Sequence, residues 1–424
     1  MKLQAFKQMD LKQYRYEQPL KLLALIYLLL VLVGICFDPQ VALADFGGNR
    51  HSLPVTQPHL TEVADDNIPA FYPLPALSDA HTLLARVPHV NHARYLSLPN
   101  FREDMAMREA LLATPAQWQQ ASASGLSCYH ASNALHVYYQ AGEDPSQVCS
   151  MPGQSKITGD STLLTARILL GLWNNRHTDP QLSAHGLVAI KVEEILAWRG
   201  IQKHQRIAYP GASKRFSDGY QSKQKQQIHA ELLHLSRYTL RGQQYIRQQG
   251  QVHVNALNTP YMHVQQVAQG HKITGYLVGP GNWIASYQSG NSMFLSSVER
   301  QIFQLHPRND YLALRLAFYL VEHWRQLARS GDYQHPLQMA QLLSASMISV
   351  DKANLTSRFV PRIEAALHKL YAQNILGQPA ICLSQLDTNK AHWGNEWLAS
   401  YWRLLPPDDI MHAYTSRKAL PAYL

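Results

Sequence analysis

The sequence is poor in cysteine and lacks the motifs of the common metal and nucleotide sites. Its four cysteines are Cys36, Cys128, Cys149 and Cys382, and no two of them form a CxxC pair. This number excludes a disulfide framework, although a single Cys128–Cys149 bridge is compatible with an exported chain. The 21 histidines form no HExxH pair, and neither a Walker loop nor a GxGxxG turn is present. The sequence therefore predicts no zinc peptidase and no nucleotide-driven motor, and we expect no cofactor and no metal ion.

Acidic residues are scarce between residues 200 and 308. This stretch holds twelve Lys and Arg residues but only three acidic ones, which gives it a net charge of +9. The whole chain also has a net charge of +9, so this stretch carries the entire excess. Concentrated positive charge attracts phosphate backbones or anionic membrane surfaces. A hydrophobic content of 46% indicates that the chain is folded.

An uncharged apolar run, Leu22–Phe37, lies near the start of the chain. Five basic residues precede it and Ala42-x-Ala44 follows it. This order is typical of a secretory signal, and a slightly longer run also suits a membrane anchor. Because basic flanks stay cytoplasmic, both interpretations predict an exported or membrane-associated protein. A translation start at Met105 or Met107 predicts a cytoplasmic protein instead.

Composition and periodicity divide the chain into five segments. These are a signal-like or membrane segment (1–44), a linker rich in Pro and His (45–156), a first helical unit (157–308), a second helical unit (309–405) and a tail (406–424). The linker is expected to be poorly structured apart from short helices at about 100–117 and 127–140.

The first unit is predicted to contain three helices followed by a hairpin. The first helix begins at Asp160, the second covers 183–199 and the third covers 222–238. Each has apolar residues at helical spacing. The period then changes from about 3.6 residues to 2 over 251–257. Two further alternating runs, 261–267 and 273–278, flank a Gln-Gly turn. This order of elements is that of a winged helix.

The second unit repeats the order. Predicted helices cover about 309–329, 335–345 and 359–373, and a strand or hairpin is expected between Ile381 and Leu405. We therefore predict a mainly α chain with small β-hairpins or sheets (α+β), built from two tandem winged-helix-like units.

Three segments carry a resemblance to a known family. They are ITGDSTLLTARILLGLWNNR, SKQKQQIHAELLHLSRYTLRG and NLTSRFVPRIEAALHKLYAQNILG. Their layout, over about residues 157–405, resembles the plasmid replication initiators with tandem winged-helix domains. The resemblance implies that the third helices enter major grooves of DNA and that the chain changes between a homodimer and a monomer. It implies replication initiation, with transcriptional control as an alternative.

The candidate DNA contacts lie on and around these third helices. Gln pairs with adenine and Lys or Arg with guanine, while hydroxyls at a helix start suit phosphate. The candidates in the first unit are Lys223, Lys225, Gln226, Gln227, Arg237 and, after the hairpin turn, Lys272. Those in the second unit are Thr356, Ser357, Arg358 and Arg362. We expect sequence-dependent binding of duplex DNA without catalytic chemistry.

One enzymatic alternative is a papain-like cysteine peptidase, exported or membrane-attached. The stretch QWQQASASGLSCYHASNALHVYYQAG resembles the nucleophile region of that family. The resemblance implies Cys128 as nucleophile at the start of a helix, where the helix dipole lowers a thiol pKa. It implies Gln119 or Gln120 at the oxyanion site, with a later histidine as base.

Two further alternatives use other properties of the chain. Cys128, His130, His136 and Cys149 are zinc ligands by type, but their spacing matches no common zinc finger, and a helix with a buried Cys128 is the simpler interpretation. A basic protein attached to the membrane through Leu22–Phe37 would bind anionic lipid as a scaffold.

Overall fold

The computed structural model describes most of the chain after residue 75. The described residues are 76–88, 93–121, 126–132, 134–140, 159–207, 215–248, 251–289, 295–328, 330–390 and 392–418. The segment Leu22–Phe37 lies outside them, as do Cys36 and Cys149. The signal or anchor prediction and the Cys128–Cys149 bridge therefore stay predictions.

The described residues contain both helices and strands, and several strands follow one another directly. The helices are α1 (Leu77–Arg86), α2 (Arg102–Leu112), α3 (Gly159–Arg176), α4 (Val192–Trp198), α5 (Ser222–Leu235), α6 (Ala285–Ser289), α7 (Arg300–Phe303), α8 (Tyr311–Leu327), α9 (Met339–Ala345), α10 (Val360–Ala372), α11 (Trp393–Ala399) and α12 (Asp408–Lys418). The strands are β1 (Tyr95–Pro99), β2 (Gln119–Gln120), β3 (Leu126–Ser132), β4 (Leu135–Gln140), β5 (Ser183–Ala184), β6 (Leu187–Ile190), β7 (His204–Ile207), β8 (Arg215–Gly219), β9 (Tyr238–Gln248), β10 (Gln251–Pro260), β11 (Met262–Gln269), β12 (Lys272–Pro280), β13 (Leu295–Glu299), β14 (Leu337–Gln338), β15 (Ile381–Cys382) and β16 (Tyr401–Arg403).

Within the described residues these strands form five sheets. The largest has the order β10-β9-β4-β3-β2, and the next has the order β11-β12-β6-β5. A three-stranded sheet has the order β14-β16-β15, and β1 with β13 and β7 with β8 form two-stranded sheets. The strand pairs that define these sheets are antiparallel.

Helix α3 lies at the centre of the hydrophobic core. Apolar residues occupy all of its sides, and a helix of this kind has to be buried all round. Leu164 and Ile168 are fully buried, and the helix contacts α2, α5, β1, β6 and β12. Gly171 allows β1 to approach closely, because a Cβ atom there would lie 2.7 Å from the Cβ atom of Leu96. The same core contains buried residues of α8 and α10.

Buried ion pairs connect the helices inside this core. Arg167 of α3 pairs with Asp104 of α2 and donates to Glu322 of α8 over 2.7 Å, and Arg108 of α2 also pairs with Glu322. These four side chains are at most 6% exposed. Removing one partner from such a group leaves an unpaired buried charge, so the network fixes α2, α3 and α8 against one another.

A second buried network connects α3, α4 and α5. Glu231 of α5 is fully buried and pairs with Arg199, at the end of α4. Its carboxylate also accepts hydrogen bonds from Ser161 Oγ (2.5 Å) and Gln227 Nε2 (3.0 Å). The inner side of α5 is therefore tied to the neighbouring helices by polar contacts as well as by Ile228 and its other apolar residues.

The prediction of a mainly α chain built from two winged-helix-like units is wrong. Several multi-stranded antiparallel sheets make the fold an α+β mixture. The predicted helix at 127–140 is the pair of strands β3 and β4. Alternating aromatic and β-branched residues such as Tyr129, Val137 and Tyr139 favour strands there, since one face of the pair is buried.

The second predicted helix is also partly wrong. Residues 183–190 form strands β5 and β6, and only Val192–Trp198 is helical. His185 and Gly186 between the two strands have positive φ angles of 51° and 78°, which a helix does not accommodate.

Other predicted elements are confirmed. Helices occur at 102–112, 222–235, 311–327, 339–345 and 360–372, and the hairpin around Gln269-Gly270 consists of β11 and β12. A strand was expected between Ile381 and Leu405, and the paired strands β15 and β16 lie there.

The residues before Met105 belong to this fold. Strand β1 pairs with β13, and its Leu96 and Leu98 are buried in the core. A translation start at Met105 or Met107 would remove α1 and β1 and expose that part of the core. Within the described part of the chain, no helix combines the length and the apolar character needed to cross a membrane.

Candidate functional site

The five-stranded sheet places polar and aromatic side chains together on one of its faces. Directly paired residues of neighbouring strands lie on the same face, and residues two apart in one strand do as well. The pairing gives two rows across the sheet: Gln119, Cys128, Tyr138 and Thr239, then His130, His136, Arg241 and Asn258. Gln243 and Tyr245 continue this face along β9. We call these ten residues the open face.

The opposite face of the sheet belongs to the core. Val137, Tyr139, Leu240 and Ile246 alternate with residues of the open face and are at most 1% exposed. Helix α2 packs against β3 and β4. By contrast, His130, Gln243 and Tyr245 are exposed. The alternation of apolar and polar residues thus orients the open face outward.

The strands of this sheet contain no acidic residue. Across β2, β3, β4, β9 and β10 the charged residues are Arg241 and Arg247, and the histidines are His130, His136 and His253. An arginine that has no carboxylate partner can be held by an aromatic ring instead. This part of the surface therefore combines cations, rings and neutral amides without negative charge.

Two arginines lie over tyrosine rings at this face. The guanidinium carbon of Arg241 lies 4.8 Å from the centre of the Tyr138 ring, and that of Arg102 lies 5.4 Å from the Tyr245 ring. Arg102, at the start of α2, also donates a 2.7 Å hydrogen bond to Ser132 Oγ. Tyr245 is 42% exposed. A ring orients a guanidinium without neutralising it, so Arg241 keeps its charge for a ligand.

Cys128, His130 and His136 form a cluster in the middle of the open face. His130 Nδ1 lies 2.8 Å from His136 Nδ1, and His130 Nε2 lies 3.9 Å from Cys128 Sγ and 3.2 Å from Gln119 Oε1. These three residues each offer one possible metal-ligand atom, and the three atoms lie within 4.8 Å of one another. The sequence analysis named these residues as possible zinc ligands by residue type, but it did not predict the sheet that holds them.

Burial shifts the pKa of Cys128 and the pKa of His136. It raises the pKa of Cys128, while the hydrogen bond from Tyr138 and the charge of Arg241 act in the opposite direction. Burial, together with His130, lowers the pKa of His136, so this imidazole is neutral at pH 7. The cluster thus holds a protonated thiol and a neutral imidazole donor.

The position of Cys128 differs from the one that the peptidase alternative predicted. The residue is a buried cysteine of strand β3, and Gln119 lies directly opposite it on β2. It is not at a helix start, and its pKa is raised rather than lowered. The helix-dipole argument for an activated thiolate therefore does not apply to Cys128.

The candidate DNA contacts of α5 differ in their contacts with neighbouring side chains. Lys223 and Gln226 are exposed at the start of the helix, and Arg237 follows its end half-buried. Lys225, however, pairs with Glu193 over 2.6 Å, and Gln227 donates to Glu231 and Ser161. Partial burial raises the pKa of Glu193, but the hydrogen bond from Lys225 outweighs this and lowers the pKa overall.

The remaining candidates lie elsewhere in the fold. Lys272 is exposed at the β11–β12 turn. Thr356 is half-buried, and Ser357 and Arg358 are exposed, in a turn of π-helix that precedes α10. Arg362 is exposed and donates to Tyr311 Oη over 3.1 Å, rather than pairing with a nearby acid. Helix α5 packs on α3 and α4 whereas α10 packs on α8, so the two sets lie on different parts of the structure.

Sequence reasoning missed strands β2 and β9 and with them the open face. A helix over 222–238 was predicted, but from Tyr238 the polypeptide continues as an eleven-residue strand. Leu240, Gln244 and Ile246 are buried and alternate with Arg241, Gln243 and Tyr245, and this alternation was the available signal.

Comparison with known proteins adds no family. No protein-family model matches the chain, and no curated protein or solved structure matches it either.

Proposed function

We propose that the chain binds nucleic acid through the open face of the five-stranded sheet, with a preference for unpaired bases. The observation that carries this proposal is a sheet surface without acidic residues on which Arg241 and Arg102 lie over tyrosine rings. The proposal keeps the nucleic-acid ligand that the charge distribution predicts and moves the contact surface from helices to a sheet.

Each kind of side chain on this face suits a different part of a nucleotide. Tyrosine and histidine rings stack on bases, and arginines contact phosphates or the planes of bases. The amides of Gln119 and Gln243 donate to and accept from base edges. Since no carboxylate lies on these strands, the phosphate backbone meets no repulsive charge from the sheet.

The geometry favours single-stranded ligands over duplexes. In a duplex the bases stack on each other and only their edges are accessible, whereas a sheet with exposed rings stacks on bases that are unpaired. Tyr245 lies on a long strand beside Gln243, with its ring 42% exposed. A backbone that runs along β9 would pass Arg241 and reach Tyr245.

Fluorescence anisotropy with labelled oligonucleotides tests the proposal. The full chain is titrated with single-stranded DNA, single-stranded RNA and duplex DNA of one sequence. We expect tighter binding of the single strands, and Tyr245→Ala should weaken that binding about 5- to 150-fold, because stacking contributes about 1–3 kcal/mol per base.

Tyr401→Ala is the matched control. Tyr401 is 49% exposed on the three-stranded sheet, so its loss removes a similar ring from another surface. Equal losses for the two variants, or no binding of single strands by the wild type, would contradict the proposal.

Duplex DNA binding through α5 is the second candidate function. Lys223 and Gln226 are exposed in the first turns of α5, where long side chains reach a groove. Lys223→Ala should weaken duplex binding if this candidate is correct and leave single-strand binding unchanged.

A further inference from the structure

The Cys128–His130–His136 cluster has the composition of a transition-metal site. One thiol and two imidazoles are the donors that zinc and copper prefer, and the five strands carry no carboxylate that would suit magnesium or calcium. We propose that Cys128, His130 and His136 bind a zinc- or copper-class metal ion at the open face. This proposal is independent of nucleic-acid binding, since its test uses the metal ion alone.

The separations of the donors fit a metal ion after small side-chain adjustments. In a tetrahedral zinc site, bond lengths of about 2.0–2.3 Å place the donors roughly 3.3–3.6 Å apart. The three donor atoms here lie within 4.8 Å of one another, and His130 Nε2 lies 3.9 Å from Cys128 Sγ. His130 contributes only one of its nitrogens, and it is the exposed member of the group, so its ring has room to turn.

The backbone holds the three donors on a rigid template. Cys128 and His130 are two residues apart on β3, and His136 is paired directly with His130 on β4. Strand β4 is itself paired with β9 along Leu135–Tyr139. Sites on paired strands are held more precisely than sites on loops, so binding requires no ordering of the chain.

A fourth ligand is at hand. Gln119 Oε1 lies 3.2 Å from His130 Nε2, on the strand that pairs with β3 opposite Cys128. A set of two histidines and one cysteine with a weak amide ligand suits copper, whereas a water molecule in the same position suits zinc. Both metals use the same three protein donors.

Binding would release the proton of Cys128. The metal ion replaces that proton on the thiol, and the His130–His136 hydrogen bond is exchanged for metal–nitrogen bonds. The affinity should therefore fall as the pH is lowered.

Cobalt titration of the full-length chain tests the site. The starting protein carries Cys36→Ser, Cys149→Ser and Cys382→Ser, so Cys128 is the only thiol. After chelator treatment and reduction, Co²⁺ should give visible d–d bands and a thiolate-to-cobalt charge-transfer band that saturate at one equivalent. Zn²⁺ should displace the cobalt, and a strong thiolate-to-copper band with Cu²⁺ would assign the site to copper.

Matched variants distinguish this site from the other histidines. Cys128→Ser should abolish the charge-transfer band, and His130→Gln should weaken binding without creating a cavity, because His130 is exposed. His253→Gln, at an exposed position of β10, should leave both bands unchanged. Absence of a charge-transfer band in the single-cysteine chain, or equal effects of His130→Gln and His253→Gln, would overturn the proposal and leave the two imidazoles as a hydrogen-bonded pair.

Discussion

Helix α5 and the open face both carry basic and amide side chains, but these side chains have different partners. On α5, Lys225 contacts the carboxylate of Glu193, and Gln227 contacts that of Glu231. On the open face, Arg241 contacts the ring of Tyr138. A carboxylate neutralises a cation, whereas a ring leaves its charge in place.

This difference shows that a count of charges along the sequence does not by itself locate a binding surface. The stretch from 200 to 308 does carry a net charge of +9, but Lys225 and Gln227 of its longest helix contact carboxylates. The strands that follow it keep their arginine on a surface without acids. The partner of each cation decides which region can contact phosphate.

The largest expected effect concerns the structural role of α5. Glu231→Ala should lower the free energy of unfolding by about 3–5 kcal/mol, because it leaves Arg199 buried without its partner. Chemical denaturation measures this change. Glu193→Ala is the control, since the Lys225–Glu193 pair is solvent-exposed and contributes at most about 1 kcal/mol.

The double variant Arg199→Met, Glu231→Leu makes this test sharper. Replacing both charges by apolar side chains should recover most of the lost stability. If Glu231→Ala is as mild as Glu193→Ala, α5 is not fixed by this network, and the contrast with the open face fails.

The next effect concerns pH and the junction between α5 and the sheet. Burial lowers the pKa of His234 to about 4, and its ring nitrogens contact Tyr139 Oη and Tyr238 Oη. In the unfolded chain the pKa is about 6.5, so the unfolded state binds the proton more readily. The neutral His234 ring therefore contributes stability that is fully present above pH 6.5. This contribution is lost as the pH falls from 6.5 to 4, by about 3 kcal/mol in total.

Denaturation at pH 7, 5.5 and 4 checks this dependence. His234→Gln should reduce the loss of stability between pH 6.5 and 4, whereas His271→Gln, at an exposed turn, should leave it unchanged. Parallel pH profiles for wild type and His234→Gln would show that this histidine is not buried as a neutral ring.

A smaller effect compares the two cations directly. Arg241→Ala should weaken single-strand binding. It should also reduce the slope of the log binding constant against log salt concentration by about 0.7, the value expected for one lost phosphate contact. Lys225→Ala should change neither quantity, because Glu193 already neutralises Lys225. Anisotropy titrations at several salt concentrations provide both values, and equal effects of the two variants would remove the distinction between them.

The smallest effect is expected at Arg362. Its exposed guanidinium donates to Tyr311 Oη, so Arg362→Ala should change stability by no more than about 0.5 kcal/mol. Because Arg362 lies on α10 and not on the five-stranded sheet, we expect unchanged affinity for single-stranded nucleic acid. A loss of duplex affinity in this variant would instead support a contact surface at α10.

The sequence predicted the elements whose apolar pattern is regular and long. The amphipathic helices α8 and α10 and the β11–β12 hairpin were all located from spacing and turn residues. The α3 helix was located as well, although its apolar residues surround it completely. Local pattern was sufficient because these elements satisfy their hydrogen bonds internally or across a short turn.

The candidate site could be predicted only in part, because it depends on pairing between distant strands. The residue types of Cys128, His130 and His136 suggested zinc ligands, but their spacing matched no known motif. Strand β4 pairs with β9, about a hundred residues later, and this pairing places Arg241 opposite His136. The two-residue alternation in each strand is visible in the sequence. The register of β4 against β9, however, follows from the burial of Val137 and Leu240 on the other face of the sheet.

Photo-crosslinking tests most directly whether the open face is the nucleic-acid surface. A single-stranded oligonucleotide that contains 5-iodouracil is bound to the full chain, irradiated, and the crosslinked peptides are identified by mass spectrometry. The account predicts crosslinks to Tyr138 or Tyr245, in β4 and β9, and their loss when an excess of unlabelled single strand is added. Crosslinks confined to α5 or α10, or none above the level seen without irradiation, would contradict it.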